Sequence, residues 1–120
     1  MSDAGVPESR PFQTFAFDDV VRHLRIHHPG CPKKTCLTIA ARISAKNCAG
    51  RKLGSMVGIE LQTYVRHNWT DYDQLLRSGM MTRDEARAYV KPQIQAVLRS
   101  WRQPALRLRL MRITAAIPDA

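Results

Sequence analysis

Apolar residues along this chain recur at intervals of three and four, and the runs are separated by prolines, glycines and capping residues. Phe17, Val20, Val21 and Leu24 trace one face of a helix over Phe17–His28. Asp18 and Asp19 suit its positive N-terminal end, and Pro29-Gly30 stops it. A second helix starts near Pro32 or Thr35 and runs to Lys46, with Cys36, Ile39, Ala40 and Ile43 as its stripe. "NCAG" from Asn47 to Gly50 offers a left-handed exit. Leu53, Met56, Val57, Leu61, Tyr64 and Val65 define a third helix with one buried side, ending near His67-Asn68.

The next stretch, "RHNWTDYDQLL" from Arg66 to Leu76, reads as a helix junction. Thr70 is the expected N-cap, with Asp73 in the capping-box position and Leu75 and Leu76 as core residues. The short helix spans Asp71–Ser78 and closes at Gly79. "TRDEARAYV" opens the last helix through a capping box of Thr82 and Glu85. Ala86, Tyr89, Val90, Ile94, Val97, Leu98 and Trp101 keep the helical period for four turns. Pro92 lies inside that run. The apolar phase continues across it, so the expectation is a kink rather than a split. Pro104 ends the helix. Beyond it, Leu106, Leu108 and Leu110 alternate with Arg107 and Arg109, which suits an irregular or strand-like arm; the one candidate partner strand is Phe12–Phe15.

The fold class this predicts is all-α: a small bundle of four to five helices. Its organisation is a disordered lead-in over 1–11, a helical domain over 12–103 and a basic C-terminal arm over 104–120. A length of 120 residues and an apolar content of 44% fit one domain with a real core. Nothing approaches the run of about 18 apolar residues that a membrane span needs. The polar N-terminus has no secretory signal pattern, and three cysteines (Cys31, Cys36 and Cys48) make no even disulfide set, so a reduced, cytoplasmic setting is expected.

Charge changes the picture most. Nineteen Lys and Arg stand against ten acids, a net +9, and fourteen of the nineteen are Arg. Arginine presents a planar fork matched to phosphate or carboxylate. A polyanionic partner, nucleic acid foremost, is the direct functional reading; drift of composition, a membrane surface or an acidic protein are the others. One basic set surrounds the second turn (Arg42, Lys46, Arg51 and Lys52). A second lies near the C-terminus (Arg99, Arg102, Arg107, Arg109 and Arg112), with Trp101 interleaved, although Trp101 also falls on the apolar stripe.

Two constellations invite chemistry. His67 with Asp71 or Asp73 could form a base or a metal site for a hydrolase or nuclease, yet the segment lacks the spacing of H-E-x-x-H, and caps and packing account for the same residues. His23, His27, Cys31 and Cys36 carry four zinc-ligand types, but the thiol spacing misses the usual templates and Cys36 suits the core. No metal and no cofactor are therefore expected. A third option is a protein-interaction module that docks through Leu106–Ile113.

"AGRKL", "YVRHNWTDYDQLLRSGM" and "RDEARAYVKPQIQAVLRSW" together resemble the bacterial and fungal family catalogued as domain of unknown function 2293, over about Arg42–Trp101. The family motif falls on Arg51, Arg66, His67, Thr70, Tyr72, Asp73, Leu75, Leu76, Gly79, Arg83, Ala86, Arg87 and Trp101. Its Arg-Val-Gly-Arg stretch is met only in part by Arg42-Ile43-Ser44-Ala45. The resemblance implies a recurring helical module and no particular activity. Caps and packing explain Thr70, Tyr72 and Asp73, whereas Arg51, Arg66, His67 and Arg87 in one pattern suggest a basic groove for an anion. The expectation is a non-catalytic polyanion-binding domain with those four residues at the central contact and Arg99, Arg102, Arg107 and Arg109 adding phosphate attraction.

Overall fold

A computed structural model describes residues 12–103. The lead-in over 1–11 and the arm over 104–120, with Arg107, Arg109 and the Leu106–Ile113 segment, lie outside the described residues. Five helices follow in order: α1 (Phe17–His27), α2 (Lys33–Ser44), α3 (Leu53–Asn68), α4 (Tyr72–Arg77) and α5 (Arg83–Arg102). The architecture is an all-α bundle, with no strand among the described residues.

Helix α3 is the centre, touching each of the other four; α1 packs on α2 and α4 on α5. The core follows the apolar stripes: Val20 and Leu24 from α1, Ile39, Ala40 and Ile43 from α2, Val57, Leu61 and Val65 from α3, and Ala86, Val90, Leu98 and Trp101 from α5. Trp101 is 2% exposed and meets Trp69 edge to face at 5.5 Å between ring centroids. Two stripe positions differ: Phe17 and Tyr89 are exposed, because α1 and α5 are each covered over a narrower arc than the sequence pattern spans.

Two junctions set the geometry. Gly30 donates its N–H to the Trp101 carbonyl at 2.7 Å, satisfying one of the acceptors that the end of α5 leaves open. A Cβ at Gly30 would lie 3.0 Å from the Trp101 Cα and 3.1 Å from the Ser100 oxygen, so only glycine permits this approach. At the other end, Gln13 donates its backbone N–H to Asn47 Oδ1 and accepts from the Cys48 N–H at 2.6 Å. The Phe12–Phe15 region thus pairs with the α2–α3 turn instead of forming a strand.

The α3–α4 junction corrects one expectation. Asp71, not Thr70, is the N-cap of α4, and it makes no side-chain cap bond. The Thr70 hydroxyl donates back to the Arg66 carbonyl and accepts from the Tyr72 N–H at 3.2 Å. The open carbonyls at the end of α3 claim that hydroxyl, so it serves two helices at once. The Thr82–Glu85 capping box is present in both directions. Helix α5 runs as one element through Pro92. Pro92 cannot donate to the Ala88 carbonyl, and both residues lie on the exposed side of the helix.

Candidate functional site

Tyr72, 3% exposed, is the hub of the α3–α4 corner. The Arg66 guanidinium lies 5.3 Å from its ring centroid, and the His67 ring meets it edge-on at 5.4 Å. Tyr72 thereby separates two neighbours that leave α3 in different directions. His67 turns outward, its Nδ1 2.7 Å from Asp73 Oδ1. This pair occupies the carboxylate that the sequence assigned to a capping box. Arg66 turns toward α5, and its Nε is buried without a hydrogen-bond partner.

Between α3 and α5 lies a groove of about 180 Å³. Gln62 and Arg66 form its α3 wall, one helical turn apart. Arg87, Lys91 and Gln95, also spaced by fours, form its α5 wall, and the nearly buried Ile94 and Leu98 make its floor. Three cations and two amides face this space, and no described acid lines it. A low-dielectric floor under charges of one sign focuses their field on whatever enters. A wider depression of about 480 Å³ between α1 and α2 has a different character. Phe17, Val21 and Leu37 wall it, and Asp18 offsets part of the charge of Arg25 and Lys33.

Of the four residues expected at a central contact, Arg66 and Arg87 share the groove. His67 does not line it and is engaged with Asp73 instead. Arg51 lies two residues ahead of α3, and the start of that helix is about 20 Å along its axis from Arg66. Arg99 and Arg102 are exposed in the last turn of α5. At about 100° per residue, Arg102 falls about 60° from Arg87 around α5 and Arg99 about 120°. Arg102 therefore continues the groove face and Arg99 lies off it.

Gln62, Lys91 and Gln95 are groove residues that the sequence reading did not single out. Their signal was present: each is four residues from a selected arginine or from another groove residue. The basic set at the second turn is exposed, and two of its members are engaged locally. Lys46 pairs with the buried Glu60, and Arg42 sits 5.8 Å from the Tyr64 ring centroid.

The histidines and thiols near the first turn do not converge on a common point. His23 and His27 pack ring on ring at 4.3 Å, and His23 borders Gly54 at the start of α3. Partial burial, then the neighbouring His27, lowers the pKa of His23. Burial, then Arg102, lowers that of His28. The Cys36 thiol donates to the Cys31 carbonyl at 3.7 Å, and burial pushes the Cys31 thiol far up, which leaves it unreactive. Among the described residues no three His, Cys, Asp or Glu side chains are placed to hold a metal ion, and no helix is long and apolar enough to cross a membrane.

The family model described as "Uncharacterized conserved protein (DUF2293)" matches residues 23–102, two thirds of the chain. The chain belongs to the DUF2293 family. The match begins in α1 and closes on Arg102, so the DUF2293 unit takes in most of the bundle and both walls of the groove. It also extends the Arg42–Trp101 resemblance back through α2. No curated protein and no solved structure matches the chain.

Proposed function

We propose that this DUF2293 domain binds a polyanion, nucleic acid foremost, in the groove between α3 and α5, and does no chemistry on it. The observation that carries this reading is the convergence of Arg66, Arg87 and Lys91 on one small space with no described acid among its lining residues. Cations scattered for solubility would be interleaved with carboxylates; here two helices from separate parts of the sequence aim theirs at one space. Phosphate contacts of this kind hold a strand in place without reading its bases. Arg102 lies about 22 Å along α5 from Arg87, on the same side, and extends the attraction.

Fluorescence anisotropy with labelled DNA and RNA across a salt series tests the reading. Log affinity should fall linearly with log salt, with a slope of about −0.7 to −0.9 for each phosphate neutralised. Absence of binding to either polymer at low salt would remove the proposal.

One observation favours a second reading. The His67–Asp73 hydrogen bond fixes the imidazole and leaves its other nitrogen free, as a general base requires. Cleavage of a bound oligonucleotide that disappears in His67→Ala would establish a hydrolase or nuclease. Intact substrate after prolonged incubation supports binding alone.

A further inference from the structure

We infer that the α3–α5 groove receives the terminal phosphate of a nucleic-acid strand, a phosphomonoester, rather than an internal phosphodiester. The inference rests on the polyanion reading and narrows its ligand.

Charge is the first argument. A phosphodiester carries one negative charge, whereas a phosphomonoester carries about −1.5 to −2 near neutral pH. Arg66 lines the space from α3 and Arg87 and Lys91 line it from α5, so one bound group draws on cations of both walls. A dianion balances that set better than a monoanion.

Size is the second. The groove holds about 180 Å³, roughly six waters at about 30 Å³ each. That accommodates a phosphate and part of a sugar, with Ile94 and Leu98 beneath the sugar carbons.

The third is the state of Arg66. Its Nε is out of water and has no acceptor. Its guanidinium carbon lies 5.3 Å from the Tyr72 ring centroid, a contact that restrains the side chain before any ligand arrives. Arg66 also lines the groove, where a planar fork suits the non-bridging oxygens of a phosphate. Gln62 and Gln95 supply neutral donors beside it. Arg102, farther along the same face of α5, gives the rest of the strand a phosphate contact, which favours a nucleic acid over a free phosphate or a phosphopeptide.

The test compares one short oligothymidylate in three forms: 5′-phosphorylated, 3′-phosphorylated, and hydroxylated at both ends. Anisotropy is read at a single salt concentration. One phosphorylated form should bind about tenfold tighter than the hydroxyl form, the equivalent of one further charge-assisted hydrogen bond. Arg87→Gln and Lys91→Gln, both exposed on α5, should bring that ratio to about twofold or less with unchanged circular dichroism. Lys34→Gln, on α2, should leave the ratio intact. Equal binding of all three forms would overturn the inference while leaving the polyanion reading standing. No binding by any form would remove both. A phosphoserine peptide that binds as tightly as the phosphorylated strand would also overturn it, by assigning the groove to a protein partner.

Discussion

Glu60 is 6% exposed in a protein of net charge +9, and the partner that makes its burial tolerable is Lys46 from the end of the α2 region. Removing the ammonium leaves a carboxylate with neither water nor a cation. Since Lys46 is itself 47% exposed, water recovers part of the loss, and Lys46→Ala should cost about 1–3 kcal/mol in urea unfolding. Glu60→Gln, which removes the charge and keeps the shape, should cost less; the opposite order would show that the ion pair does not govern this site. Gly30→Ala should cost about 1–3 kcal/mol, because the new methyl meets the backbone of α5 and cannot be relieved by a side-chain rotation. The histidines in and just after α1 set a pH dependence. His23 and His28 bind protons less readily when folded than the ordinary value near 6.5. As pH falls through that value the unfolded chain takes up more protons, so stability drops. Melting temperatures should decline from about pH 7.5 to about pH 5.5, and His28→Asn should flatten the decline.

Among the elements, the start of α5 depends most visibly on its cap. Thr82→Ala removes the acceptor for the Glu85 N–H and should lower stability by about 1 kcal/mol in thermal melts. The five helices, their stripes and this capping box were legible in the sequence because each is fixed by neighbours within a turn or two. Thr70 was not, although Thr70 and Asp73 have the spacing of a box. Which carbonyl a hydroxyl serves depends on where the preceding helix ends, and α3 runs to Asn68 and claims it. Tyr89 fits the period of α5 but lies beyond the arc that α3 and α4 cover. Glu60 gave a signal that a polar letter concealed: it follows Met56 by four and Val57 by three, on the buried stripe. The groove was half legible. Arg66 and Arg87 were selected through a family pattern. That Lys91 joins them and Arg51 does not is decided by which ends of α3 and α5 meet, and spacing within either helix cannot supply it.

At the scale of the whole molecule, salt dependence separates a focused contact from a diffuse positive charge. Arg87→Ala should weaken binding by a similar factor for every oligonucleotide sequence and reduce the salt slope by about one. Arg51→Ala, at the far end of α3, should change the slope less; equal effects would mean that overall charge, and not the groove, attracts the polymer. The same long-range arrangement bears on how the chain is made. The hydrogen bond from Gly30 to Trp101 joins points about seventy residues apart, and Trp101 sits in the core that α1 and α2 help enclose. During synthesis at about 5–20 residues per second, the turn between α1 and α2 waits on the order of 4–14 s for the carbonyl that Gly30 meets. Over that interval a ribosome carries a bundle that α3 has begun to cover and α5 has not closed, and chaperones and proteases have access to the newborn chain.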